Sequence, residues 1–133
     1  MISKSDINEL IKLRVEQANE TIKEVEVLIN NHLYRVAINR IYYGMFYILL
    51  ALSLSYKFKT SKHTQLIGWF NKTFIKEKLL DSKYGKIIHK AFEERTDCDY
   101  GVLTEFSKEE VEKRFDEMKD FIFVLENIIN EIK

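Results

Sequence analysis

Arg95, Asp99 and Tyr100 are the residues of this 133-residue chain whose types and spacing could do chemistry. Arg95 follows Tyr84, Ile88 and Ala91 at helical spacing, so a guanidinium stands where an apolar stripe predicts a core side chain. Residues three or four apart share a helix face. If the helix reaches Asp99, its carboxylate lies one turn from Arg95 and points the same way. A charged pair on an inward face costs desolvation energy and needs a reason. One reason is structural: Asp99 neutralises Arg95, and Tyr100 caps the loop. The other is chemical: a partly buried guanidinium stabilises a phosphorane-like charge, while a carboxylate or phenol moves protons.

A second group is Asn39-Arg40-Ile41-Tyr42-Tyr43, with Arg40, Tyr43 and Tyr47 on one helix face. It reads either as a buried arginine satisfied by a carboxylate beside amphipathic tyrosines, or as a wall that binds phosphate and stacks bases. Asn39, Arg40, Tyr43 and Lys62 form the candidate nucleotide- or phosphate-binding set, Lys62 because it sits at a positive helix end that can support an anion. His63 falls on the apolar stripe of Leu66, Ile67, Phe70 and Phe74 and is either a boundary residue or a proton carrier. His89 lies off its stripe and reads as solvated, and His32 covers the end of the first helix. Cys98 has Asp97 and Asp99 as neighbours, whose charges raise a thiol pKa, so it gets no catalytic role. There is no glycine-rich phosphate loop, no paired cysteine or histidine metal spacing and no nucleophile-elbow serine. No cofactor and no metal is expected.

Helices must position these groups. Helix 1 is expected from about Asp6 to about Asn31, with a seam of Ile7, Ile11, Val15, Ala18, Ile22, Val25, Ile29 and then His32 and Ser5 or Asp6 as its cap. Helix 2, about Leu33 to Ser53, is apolar nearly all round apart from Arg35, Asn39 and Arg40, as suits a central helix. Helix 3 is expected from Thr60-Ser61 and helix 4 from Asp81-Ser82. Residues 97–106 read as an interruption, with Gly101 and Thr104 marking a turn. Ser107 and Glu110 form a capping box for helix 5, whose seam is Val111, Phe115, Met118, Ile122, Leu125, Ile129 and Ile132. No strand-like alternation survives. The expected fold is all-α, an up-and-down bundle of about five helices in one domain, residues 1–133.

Composition narrows the function. Formal net charge is zero, which argues against a protein that coats nucleic acid with a wholly basic face but leaves room for a local basic pocket. A single cysteine excludes an internal disulfide and a cysteine-based zinc site, and suggests a reducing cytoplasm. The opening MISKSDINELIK lacks the apolar core of a signal peptide. The longest apolar run, residues 41–52, holds three tyrosines and is shorter than the ~20 residues of a membrane span. No membrane is expected.

Four segments, taken in order, resemble a HEPN domain, and within that superfamily the small stand-alone UPF0332-type proteins. They are AINRIYYGMF at residues 37–46, SKHT at 61–64, Tyr84-Gly85, and AFEER at 91–95 leading into Asp99-Tyr100, before an acidic amphipathic last helix. The resemblance covers nearly the whole chain. It implies a helical bundle, commonly a homodimer, often paired with a minimal nucleotidyltransferase encoded alongside, the HEPN protein being the toxin. Many HEPN domains are metal-independent RNases whose arginine is followed a few residues on by a histidine, both subunits contributing to a shared cleft. Here no histidine follows Arg95; Asp99 stands in its place and Tyr100 comes next. A histidine near pKa ~6.5 serves as base and acid at neutral pH, whereas an aspartate near ~3.9 is a poor acid and a tyrosine near ~10 a poor base. His63 is the histidine that could repair the deficit. The resemblance thus implies either an endoribonuclease toxin using Arg95, Asp99, Tyr100 and His63, or a non-catalytic nucleotide-binding or interaction module with Tyr100 as a modification target. A plain helical dimer whose polar cluster only fixes register is the third reading.

Overall fold

Because α2 (Tyr34–Ser55) is apolar on every side, it becomes the axis of the bundle. Ala37, Ile38, Ile41, Tyr42, Met45, Ile48, Leu49 and Leu52 are almost fully buried. The computed structural model describes residues 3–101 and 105–132. In that span α1 (Lys4–Asn30), α3 (His63–Phe70), α4 (Ser82–Asp99) and α5 (Lys108–Ile132) surround α2, and no strand occurs among the described residues. The all-α bundle matches the expectation. By length and composition α2 could cross a membrane, yet 67% of its apolar window is buried by the other helices.

The connections follow from backbone chemistry. After α1, His32 takes a left-handed conformation (φ 59°) and the Leu33 N–H bonds the Leu28 carbonyl at 2.9 Å, closing the helix in a Schellman turn. His32 therefore does not continue the α1 seam; its ring meets the Tyr34 hydroxyl at 2.9 Å. Ser3, rather than Ser5 or Asp6, caps α1, its hydroxyl accepting from the Asp6 N–H at 3.1 Å. Asp6 thus occupies the third helical position, where its N–H needs that cap.

Helix 3 starts at His63, later than expected, because the Thr60 hydroxyl is used one step earlier, accepting from the Lys62 N–H at 3.2 Å. It runs into a π-helical turn, Asn71–Ile75, which no sequence pattern announced. Gly85 of α4 packs on that turn so closely that a Cβ there would lie 2.9 Å from Asn71 Oδ1. Helix 4 passes through Asp97 and Cys98 to Asp99, shortening the expected interruption, since neither proline nor glycine intervenes before Gly101, at φ 72°. Thr104 lies outside the described residues. The capping box at the start of α5 is present: Ser107 Oγ accepts from the Glu110 N–H, and Glu110 accepts from the Ser107 N–H, each at 3.1 Å. The bond from the Ser107 backbone, then that from its side chain, holds the Glu110 carboxyl below the usual range.

One buried ion pair ties α4 to α5. Arg114 Nε lies 2.8 Å from Glu94 Oε1, the two side chains being 14% and 10% exposed, and Arg114 Nη1 reaches Glu117 at 3.1 Å. Removing one member of such a pair strands the other without water. Arg114→Met is expected to cost about 3–5 kcal/mol in urea unfolding, and adding Glu94→Gln to recover much of it. A loss below ~1 kcal/mol for Arg114→Met would mean the pair is effectively solvated.

Candidate functional site

Arg95 reaches the outer face of α2 from the last turns of α4. Its Nη1 donates to the Tyr43 hydroxyl at 3.2 Å and pairs with Asp99 Oδ2 at 3.3 Å. The side chains of Arg95 and Asp99 are 17% and 48% exposed, so the pair straddles the boundary rather than being dry. The guanidinium carbon lies 5.1 Å from the ring centre of Tyr42, 5.5 Å from Tyr43 and 5.7 Å from Phe92. Aromatic faces attract the cation but supply no hydrogen-bond acceptor in the guanidinium plane. Arg95 Nε is buried and has no partner among the described residues.

His63 joins this cluster from the first turn of α3. Its ring stacks on Phe46 at 4.1 Å between centres and 5° between planes, and meets Tyr43 edge-on at 5.9 Å. Its Nδ1 lies 2.5 Å from the Tyr42 hydroxyl. Burial, and secondarily the charge of Arg95, lower the His63 pKa, so the ring is neutral at pH 7. Burial pushes the Tyr42 phenol up, so it keeps its proton. Tyr42 is fully buried, and His63 is its only hydrogen-bond partner among the described residues. A buried hydroxyl proton without an acceptor is costly. The phenol therefore donates to Nδ1, which places the imidazole proton on Nε2.

The sequence candidates separate into three groups. Arg95, Asp99, Tyr43 and His63 come together. Arg40 sits at the margin, 5.6 Å from the Tyr43 ring and 3.3 Å from Glu24 of α1; Asn39 is half-buried beside it, and Lys62 is exposed at the start of α3. Tyr100 stands apart, 81% exposed at the end of α4. Cys98 is buried, and burial foremost, with its acidic neighbours, raises its thiol pKa. His89 is exposed and faces Glu93 at 3.4 Å.

Tyr42, Phe46 and Phe92 are site residues that the sequence reading missed, since helical spacing put Tyr42 and Phe46 on the core side of α2. Arg35 was seen only as a polar exception; its Nη2 donates to the Cys98 carbonyl, a cation on the negative end of α4. No group of three metal-ligating side chains forms among the described residues. Two surface recesses, of about 410 and 450 Å³, lie elsewhere, one lined by His32, Tyr34, Arg35 and Phe106, the other along α1.

The arrangement offers a cation with spare donors, a neutral imidazole with a fixed tautomer, and a half-exposed carboxylate. Imidazole ¹⁵N spectra should show His63 Nδ1 unprotonated and Nε2 protonated at pH 7. Tyr42→Phe should let the two tautomers mix. Because the folded pKa lies below the unfolded value of ~6.5, the contribution of His63 to stability is complete above that pH and declines as pH falls through it. A wild-type ring protonated on Nδ1, or one indifferent to Tyr42→Phe, would refute the assignment.

Comparison with known proteins gives the cluster its context. The family model for the HEPN domain matches residues 11–129. A protein named UPF0332 protein, from Thermotoga maritima, is 33% identical over 117 residues, spanning 88% of this chain and 89% of its own. Two proteins of Methanocaldococcus jannaschii are also similar. "Putative toxin MJ0142" is 38% identical over 104 residues, 78% of this chain and 70% of its own; "Putative toxin MJ0605" is 32% identical over 127 residues, 96% and 94%.

Proposed function

The chain belongs to the HEPN domain family, and from that premise we propose that it is the toxin component of a toxin–antitoxin pair, cleaving RNA without a metal at the Arg95 site. The observation that carries the reading is His63 beside Arg95, on the same tyrosine wall. The family's arginine-then-histidine spacing is absent here, and α3 brings a histidine to the arginine instead. Relatives named as toxins support the biological setting.

In this reading the substrate phosphate takes up the Arg95 donors that no protein acceptor uses and that are not buried, those of Nη2. The His63 Nε2–H faces a second phosphate oxygen. Both strengthen as the phosphorus gains charge, which is where such donors lower a barrier. The Asp99 carboxylate accepts the proton of the 2′-hydroxyl as the 2′-oxygen bonds to phosphorus. The bond from phosphorus to the 5′-oxygen breaks, and that oxygen leaves with a proton from water. A neutral His63 acts here as a donor rather than a base. Arg95 opens on the surface and not into either recess, so a second copy of the chain completes the cleft.

The test is an RNase assay in EDTA with wild type, Arg95→Ala and His63→Gln prepared identically. Wild type is expected to cleave, Arg95→Ala to lose at least ~100-fold and His63→Gln about 10- to 100-fold, as for the loss of one charge-stabilising donor. Retained cleavage by a clean Arg95→Ala preparation would sink the nuclease.

The exposure of Tyr100 favours a second reading, in which the chain is a non-catalytic partner of a minimal nucleotidyltransferase. The phenol oxygen would attack the α-phosphorus of ATP, forming a tyrosyl phosphodiester and releasing pyrophosphate, a step that needs an accessible hydroxyl. Intact mass after incubation with such an enzyme and ATP should rise by one nucleotidyl group, and not in Tyr100→Phe. An unchanged mass, or a gain that survives the substitution, rules this reading out.

A further inference from the structure

We propose that the lysine-rich segment of residues 57–90 is a docking tract for single-stranded RNA, with Phe58 and Trp69 as its stacking platform. The proposal rests on the nuclease reading and adds a binding surface outside the Arg95 cluster.

The neutral net charge conceals a strong segregation. Residues 57–90 hold nine lysines against Glu77 and Asp81, a balance of +7, and the rest of the chain balances at −7. All nine lysines are exposed. Among the described residues only Lys83 makes an ion pair, with Asp120 at 3.4 Å. The segment is also a unit in space, for α3, the π-helical turn and α4 contact one another. A segment charged in this way draws a polyanion to its own surface of the molecule.

The aromatic side chains at this segment indicate the polyanion. Phe58 and Trp69 are half-exposed, 5.4 Å between ring centres and 7° from parallel, and Tyr56, 42% exposed, meets Trp69 edge-on at 6.1 Å. Lysines around an aromatic platform suit a strand whose bases are free to stack, whereas a duplex keeps its bases stacked inside. The cations are all lysine, with no arginine in the segment. Lysine is depleted in protein interfaces but serves as a point charge for backbone phosphates. A lipid surface would need an unused apolar helix face, and the apolar faces of α3 and α4, including Leu66, Phe70, Ile87 and Ile88, are already buried in the bundle. The tract also leads to the site: Lys62 adjoins His63, which shares the Tyr42–Tyr43 wall with Arg95.

The experiment measures binding of the full chain to a 2′-O-methyl oligoribonucleotide of about 12 nucleotides. This probe lacks the 2′-hydroxyl nucleophile, so the result is independent of cleavage. Fluorescence anisotropy is recorded across a salt series. The triple variant Lys59→Gln/Lys72→Gln/Lys76→Gln is compared with Lys12→Gln/Lys108→Gln/Lys113→Gln, which removes the same charge from residues outside the tract. The tract variant should bind about tenfold or more weakly at 0.1 M salt and flatten the log–log salt slope by about 2, the control remaining close to wild type. Trp69 is the sole tryptophan, so its emission should be quenched on binding. Equal losses in the two triple variants, no binding by wild type, unquenched Trp69, or tighter binding to phosphatidylserine vesicles or to duplex RNA would each overturn the tract. Binding at the tract without cleavage in EDTA would sink the nuclease and leave the tract standing. Cleavage without tract-dependent binding would do the reverse.

Discussion

A helix with no polar side persists in water only if neighbours cover it all round, and α2 imposes that demand on this chain. Its mid-section, from Ile41 to Leu52, has apolar side chains at every angle. The three long helices divide the covering between them, and the fit is tight: a Cβ at Gly44 would come within 2.2 Å of Met118 Cε on α5 and 3.2 Å of Thr21 on α1. The small residue lets three helices approach, and the price in helix propensity is modest, about 0.5–1 kcal/mol relative to alanine.

That wrapping explains where the polar chemistry collects. The α2 face bearing Arg40, Tyr43 and Tyr47 is less completely covered, because α3 is short and gives way to the π-helical turn. Tyrosines suit such a boundary, with an apolar ring against the core and a hydroxyl at the edge. Arg95 comes to the same boundary from α4, and His63 from the first turn of α3. Neither is adjacent to α2 in sequence. Their meeting is a consequence of covering a helix whose uncovered strip is aromatic.

The helices, their order, the capping box and the seams as far as Ile29 and Ile129 were legible in the sequence, because hydrophobic period and turn chemistry are local signals; the expected last members fail at the helix ends, His32 in a left-handed turn and Ile132 exposed. So was the Arg95–Asp99 pair, since helical spacing alone sets it. The Tyr42–His63 contact was not legible. It joins residues 21 positions apart through an α2–α3 connection whose path no periodicity encodes, and Tyr42 carried the spacing of an ordinary core residue. The π-helical turn was hidden for a related reason: its sequence, NKTFI, is compatible with plain helix, and packing against Gly85 is a tertiary condition. Charge segregation was present in the sequence throughout, but a net charge of zero averages it away.

Arg95 shows most clearly how packing and electrostatics can be left unresolved within one side chain. A guanidinium has five N–H donors. Among the described residues the only hydrogen bond and ion pair recorded for it both use Nη1, to Tyr43 and Asp99, while Nε is buried without an acceptor. Three aromatic rings surround the charge, and cation–π attraction of about 0.5–2 kcal/mol each offsets part of its desolvation. That attraction acts on the faces of the rings and does nothing for the N–H groups in the guanidinium plane. A purely structural arginine would gain from a second carboxylate, as Arg114 does with Glu94 and Glu117. The two arginines lie on neighbouring helices of the same bundle: Arg114 meets two carboxylates of its own chain through Nε and Nη1, and Arg95 meets one, through Nη1 alone. The fold thus leaves a cation with unpaired donors, aromatic walls and a neutral imidazole together at the one strip of α2 that its neighbours cover least.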